Sequence, residues 1–180
     1  MTRTILITGG ARSGKSRFAE SLLLPHADVV YIATSEITDD EMRDRVRLHQ
    51  QRRPAAWRTF EGVYQLHNAL CNARHYLLDC LSIMTSRIMF DLTRQFDRIP
   101  IEAQRRVEET VLDELHVLGG GVATLDGTLV IVTNEVGLSI VPEHHVARVY
   151  RDILGNVNQR VAALCDEVYL VVCGIPMKIK

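Results

Sequence analysis

The run TILIT (residues 4–8) leads straight into GGARSGKS (residues 9–16). This junction constrains the fold more than any other feature of the chain. A buried strand must stop, a glycine-rich loop must turn, and a helix must begin. The octet matches G-x-x-x-x-G-K-[ST]. In that pattern the glycines let backbone N–H groups turn inward around phosphate oxygens with no Cβ in the way. Lys15 then reaches the β- and γ-phosphates, and Ser16 offers a hydroxyl to Mg²⁺. The helix that starts here adds the positive end of its dipole. With glycine near 7% of residues, a chance match in a chain of this length is about a one-in-a-hundred event. The strand before and the helix after lower it further. The sequence therefore predicts a nucleotide site built from Gly9, Gly10, Ala11, Arg12, Ser13, Gly14, Lys15 and Ser16.

The same strand-then-helix alternation continues. TILIT (4–8), VVYIA (29–33), YLLDC (76–80), LVIVT (129–133) and VYLVV (168–172) are branched, mostly unalternating runs, as expected where both faces of a sheet are covered. Helical spacing predicts helices over 14–24, 38–52, 81–92, 101–118 and 142–164, and the tail VVCGIPMKIK reads as a hairpin. The expected fold is α/β: a P-loop NTPase-type three-layer arrangement, mostly parallel, with an antiparallel C-terminal edge strand. Residues 93–100 and the glycine-rich 119–127 are the expected flexible places, too short to divide two domains, so residues 1–180 are expected to form one nucleotide-binding domain.

Composition narrows the function classes. The 21 basic and 22 acidic side chains leave a net charge of −1, which gives no footprint for nucleic acid or an anionic membrane. Cys71, Cys80, Cys165 and Cys173 lie far apart without a C-x-x-C pair, as expected of reduced thiols. No apolar run approaches the roughly 18 residues of a membrane span, and glycine arrives too early for a signal peptide. A cytoplasmic protein without membrane insertion is expected.

A magnesium ion on the triphosphate needs an acid at the end of another strand. Asp79 is the first candidate and Glu135 the second; each also reads as an ordinary strand-end carboxylate. The 38–52 helix opens with a capping box, Thr38 and Glu41, and places Met42, Val46, His49 and Arg53 on one face. By spacing alone, His49 is more commonly a packing residue. Its functional reading is an imidazole nucleophile toward phosphorus, with Arg52 and Arg53, which have no acidic residue three or four positions away in the sequence, screening the charge. Trp57 reads as packed core, Cys80 as a small buried residue, and His144 and His145 as solvent-facing.

Four stretches carry a resemblance that runs nearly end to end: ILITGGARSGKSRFAE, YIATSEITDDEMRDRVRLHQQRRPAAWRTFE, VTNEVGLSIVP and RDILGNVNQRVAALCDEVYLVVCGIPMKIK. The sequence resembles the bifunctional adenosylcobinamide kinase / adenosylcobinamide-phosphate guanylyltransferase of cobalamin biosynthesis. The resemblance implies two reactions. ATP or GTP phosphorylates the aminopropanol hydroxyl of adenosylcobinamide. GTP then guanylylates a histidine, and the new phosphate ester takes up the GMP, giving adenosylcobinamide-GDP. By motif position the histidine is His49. Ala33, Thr34 and Ser35, with Gln50, Gln51, Arg52 and Arg53, match stretches that contact nucleotide in the family. Glu61 and Asp79 match acidic positions near nucleotide and metal, so Ser16 and Asp79 are the expected Mg²⁺ residues. Some relatives carry two histidines where this chain reads Leu48-His49. A homo-oligomer, with a trimer as one form, is also implied. Two rivals stand beside this reading: a single-activity P-loop small-molecule kinase with a structural His49, and a nucleotide-dependent switch. The switch lacks an N-K-x-D element, for which VTNEVG is a poor substitute.

Overall fold

The computed structural model describes residues 2–36 and 53–180. Its strands are β1 (Arg3–Thr8), β2 (Val29–Ala33), β3 (Arg58–Glu61), β4 (His75–Asp79), β5 (Thr128–Val132), β6 (Glu167–Val172) and β7 (Ile175–Lys178). Its helices are α1 (Lys15–Leu23), α2 (Leu81–Thr93), α3 (Ile101–Thr124) and α4 (His145–Leu164), with a short 3-10 turn at Leu66–Ala69. The strands form one sheet in the order β3-β2-β4-β5-β1-β6-β7. All pairings are parallel except β6 with β7, as the sequence predicts.

Strand periodicity explains the layers, because successive side chains point to opposite faces. Ile5, Ile7, Val29, Tyr31, Leu77, Val130 and Val132 bury one face together with Ala19 and Leu23 of α1. Leu6, Val30, Ile32, Tyr76, Leu78, Leu129 and Ile131 bury the other, under α2, α3 and α4. A strand covered on both sides has no polar positions to spare, hence the continuous apolar runs. Parallel pairing also sets all the strand ends that precede helices on one edge, the edge on which open α/β sheets bind their ligands.

Three elements depart from the expectation. β3 pairs with β2 at the sheet edge, Val30 opposite Arg58 through Ala33 opposite Glu61. Three of its four residues are exposed, so it carries no apolar run. Most of the stretch 119–127 is helical: α3 continues through Gly119, Gly120 and Gly121 to Thr124, and only 125–127 turn toward β5. Glycine inside a helix costs about 1 kcal/mol relative to alanine. At Gly121 a Cβ would stand 2.1 Å from Leu70 Cδ1, so the missing side chain is what lets Leu70 seat against the helix. Leu118 and Val122, both buried, hold the same turns onto the sheet. The last helix begins at His145, not at 142, and the Pro142 carbonyl accepts a hydrogen bond from Arg148 Nη1 at 2.9 Å. Among the described residues, no helix is long and apolar enough to cross a membrane.

Candidate nucleotide site

The loop between β1 and α1 is held from two sides. Glu135 donates its backbone N–H to the Gly9 carbonyl at 3.0 Å, and Gly174 donates its own to the Ser13 carbonyl at 2.8 Å. Backbone contacts this close explain two glycines. A Cβ on Gly9 would lie 2.5 Å from the Val171 carbonyl oxygen. Gly14 caps α1 at φ 99°, a left-handed conformation that side chains resist. Gly14 brings no capping side chain, and the first turn of α1 holds no acid. The N–H groups that open the helix are therefore left to an external acceptor, the arrangement that favours an anion.

Lys15 lies under this loop at 8% exposure. Its Nζ donates to the Gly10 carbonyl at 2.9 Å. Burial lowers the Lys15 pKa from the usual lysine value, against the opposing pull of Cys80 and Asp79. A partly desolvated ammonium beneath an anion-binding loop interacts strongly with phosphate, since little water remains to screen it. Ser13 Oγ is buried in the same loop and makes no hydrogen bond among the described residues.

The next residue turns toward a carboxylate. Ser16 Oγ donates to Asp79 Oδ1 at 3.4 Å, and Tyr31 OH donates to Asp79 Oδ2 at 3.0 Å. Asp79 closes β4 and Tyr31 lies in β2, neighbours in the sheet that pair in parallel. A hydroxyl beside a carboxylate is a hard-oxygen set of the kind Mg²⁺ takes while keeping several waters. These two residues therefore fit the ion. Burial, with Asp79 alongside, raises the Tyr31 pKa, so the phenol stays a donor to the carboxylate. The Arg53 guanidinium stacks 3.6 Å above the Tyr31 ring centroid, a cation–π contact. Tyr31 was not foreseen. Its one signal was a phenol inside a strand predicted to be wholly buried, which must find a partner. Tyr31→Phe removes one of the bonds that orient Asp79. We expect the Mg²⁺ concentration for half-maximal nucleotide turnover to rise about tenfold, the loss of one hydrogen bond to a charged group. The KM for triphosphate at saturating Mg²⁺ should move far less. A magnesium titration checks it.

The other expected residues divide. Thr34 is fully buried. Its hydroxyl accepts the Cys80 N–H and donates to the Cys80 carbonyl, both at 2.8 Å. Its own N–H donates to the Asp79 carbonyl at 3.3 Å, and its carbonyl accepts Arg87 Nη1 at 2.8 Å. Arg87 also pairs with Glu36. Thr34 thus locks the ends of β2 and β4 together. Ala33 accepts the Gly62 N–H at 3.0 Å, Ser35 is half-buried, and Glu61 stands exposed at the end of β3. Arg12, exposed in the loop, and Ala11 beside it complete the octet. His49, Gln50, Gln51 and Arg52, like the predicted 38–52 helix, lie outside the described residues. The acid beside Ser16 is Asp79; Glu135 turns onto its own loop, accepting the Gly137 N–H at 3.0 Å.

Spacing gave no sign of the buried network behind the site. Thr133 donates to Asn158 Oδ1 at 2.8 Å, and Asn158 Nδ2 donates to the Asn134 carbonyl at 3.0 Å. These bonds fix the end of β5 to α4. Trp57 is core, as expected, with its indole N–H on the His26 carbonyl at 3.1 Å. Cys80 is buried, which raises its thiol pKa. His145 departs from the expectation of a solvent-facing ring: its Nε2 accepts the Ile99 N–H at 3.1 Å, which docks the start of α4 on the connection before α3. A groove of about 680 Å³ runs along α4 beside β1 and β6, lined among others by Thr8, Glu135, Arg151, Gly155, Asn156 and Gln159.

Residues 5–179 match the protein family described as cobinamide kinase / cobinamide phosphate guanyltransferase. The bifunctional adenosylcobalamin biosynthesis protein CobU of Salmonella typhimurium LT2 is 46% identical over 180 residues, spanning 98% of this chain and 99% of that one. CobU of Escherichia coli K12 is 44% identical over the same span and shares. The bifunctional protein CobP of Pseudomonas aeruginosa PAO1 is 38% identical over 181 residues, with 97% and 96% covered.

Proposed function

The chain belongs to the cobinamide kinase / cobinamide phosphate guanyltransferase family, and on that footing we propose how a single phosphate loop serves two reactions. It is an adenosylcobinamide kinase and adenosylcobinamide-phosphate guanylyltransferase of cobalamin biosynthesis. Relatives matched along their whole length are named as bifunctional, which favours this reading over a lone kinase or a switch. The observation that carries the proposal is the convergence of Lys15, Ser16 and Asp79 beneath the N–H groups that open α1.

In the kinase step, the loop amides and Lys15 hold the β- and γ-phosphates of ATP or GTP. The substrate hydroxyl attacks the γ-phosphorus, its proton is lost, and the nucleoside diphosphate departs. Mg²⁺, bound through Ser16 and Asp79, would neutralise charge building on the phosphates. Tyr31 and Ser16 orient the carboxylate, each through one of its oxygens. In the transferase step, a neutral His49 nitrogen attacks the α-phosphorus of GTP and pyrophosphate leaves. A phosphate oxygen of adenosylcobinamide phosphate then attacks the same phosphorus, the P–N bond breaks, and the imidazole is regenerated. Arg52 and Arg53 are assigned to the α-phosphate, Gln50 and Gln51 to the nucleotide beside it.

The groove along α4 is the surface we assign to the corrinoid. Its mouth reaches Thr8 and Glu135 beside the loop, and Arg151, Asn156 and Gln159 offer donors to an amide-rich ligand. Gly155 leaves that groove open, since a Cβ there would meet nothing within 4 Å. We also assign the protein to the cytoplasm and to a homo-oligomer, a trimer by family likeness. Leu138 and Ile140, 88% and 92% exposed, suit a subunit contact, which sedimentation would reveal. The experiment for the function uses GTP labelled at the γ-phosphate. Label should pass to adenosylcobinamide, and Gly155→Trp should raise the KM for that acceptor while leaving the triphosphate KM alone. Label released only as inorganic phosphate would contradict the kinase assignment.

A further inference from the structure

At the opposite edge of the sheet from the nucleotide site, three side chains from three separate segments converge. His26 follows α1, Asp28 precedes β2, and His75 is the first residue of β4. Four residue steps along β4, from His75 to Asp79, separate this cluster from the nucleotide site by roughly 13 Å. Parallel pairing creates the meeting: Val29 is in register with His75, so the residue before one strand lies beside the start of the other.

We propose that His26, Asp28 and His75 bind a single divalent transition-metal ion of the Zn²⁺ class. Each residue offers one ligand atom, and the three atoms lie within 4.8 Å of one another. Around tetrahedral Zn²⁺ such atoms stand about 3.3 Å apart, given metal–ligand bonds near 2.0–2.1 Å. Asp28 Oδ1 and His75 Nδ1 are already 3.0 Å apart. The other oxygen of Asp28 accepts the Arg74 backbone N–H at 3.1 Å, the kind of outer contact that orients a ligating carboxylate. The His26 and His75 rings stack with centroids 3.7 Å apart and planes 17° apart, which sets them side by side next to the carboxylate. To share an ion the rings must splay out of the stack. His26 reaches solvent, and its backbone is anchored by the Trp57 indole on its carbonyl, so this is a side-chain rotation.

The donor set selects the ion. Two imidazoles and one carboxylate suit Zn²⁺, Ni²⁺ or Co²⁺, whereas the hydroxyl and carboxylate at Ser16 and Asp79 suit Mg²⁺. Three protein ligands leave a fourth position for water. Bound there, the ion would tie the exit of α1 to the starts of β2 and β4. Because the cluster is assembled by the fold, binding would stabilise the folded chain by mass action.

The test is calorimetric titration of Zn²⁺ into chelator-stripped full-length protein, with Mg²⁺ in excess to occupy the hard-oxygen site. We expect one equivalent bound with a dissociation constant on the order of micromolar. His26→Ala should weaken it at least tenfold, the lower end of the loss seen when even an outer-shell partner is removed. His26→Ala/His75→Ala should abolish it. Thermal melting gives an independent reading: Zn²⁺ should raise the midpoint of the wild type, raise that of His26→Ala less, and leave that of His26→Ala/His75→Ala unchanged. His26 lies outside the core, so its replacement keeps the fold, and retained triphosphate binding verifies that. Absence of Zn²⁺ binding up to millimolar concentration, or equal affinity in wild type and His26→Ala, overturns the proposal.

Discussion

Lys15→Ala should lose phosphoryl transfer while the protein stays folded. The ammonium is the group at the loop that is both cationic and buried, 8% exposed, with its tip on the Gly10 carbonyl. A preorganised charge in a site with little water stabilises a transition state by more than the same charge in solution, and removing one such group costs about 10²–10³-fold in kcat. We expect at least that loss, together with weaker triphosphate binding. Alanine at the first residue of α1 is a good helix former, so the thermal transition should change little. A pH dependence should accompany it. Burial lowers the Lys15 pKa, so the wild type should begin to lose triphosphate affinity at a lower pH than an ordinary lysine would allow, as the ammonium deprotonates. Lys15→Ala should not show that alkaline limb. Steady-state kinetics and nucleotide titrations across pH check both, and unchanged rates in the variant would contradict the cradle.

His49→Ala should separate the two activities. Removing a covalent nucleophile costs about 10⁴-fold or more, because the residual site can bind but cannot form the intermediate. Guanylyl transfer should therefore fall by at least that factor, while transfer of the γ-phosphoryl group to adenosylcobinamide stays near the wild-type rate. The split follows from the proposed division of chemistry between phosphorus atoms, with Lys15 and the loop assigned to the γ position and the imidazole to the α position. Separate assays of adenosylcobinamide phosphate and adenosylcobinamide-GDP read the two rates from one preparation. Parallel loss of both would mean that His49 holds the nucleotide in place instead of attacking it.

The phosphate loop was legible because its chemistry is local. Gly9, Gly14, Lys15 and Ser16 fall within one turn and its flanks, and the spacing itself states the requirement. The buried strands were legible because burial on both faces leaves an unbroken apolar run. β3 was not, since an edge strand with three exposed residues has no such run. The helical course of Gly119 to Gly121 was hidden for a different reason: the explanation for Gly121 is the side chain of Leu70, some fifty positions earlier. Tyr31, Arg87 and Asn158 were missed for the same cause, since their partners belong to other elements and only register or packing brings them together. The place of Asp79 at a strand end was legible in the sequence, and its contact with Ser16 follows from that place. His49 is the reverse case. Its spacing argued for packing, and only the likeness of the surrounding stretch to a family pointed to chemistry.

The proposed transferase reaction requires a nucleotidyl group to pass through His49. The direct measurement is mass spectrometry of the protein after brief incubation with GTP and Mg²⁺, without corrinoid, followed by peptide mapping under alkaline conditions that preserve a phosphoramidate. An added GMP is expected on the peptide containing His49, removed when adenosylcobinamide phosphate is supplied. Unmodified protein that still converts adenosylcobinamide phosphate to adenosylcobinamide-GDP, or a GMP adduct mapped to a different residue, would contradict it.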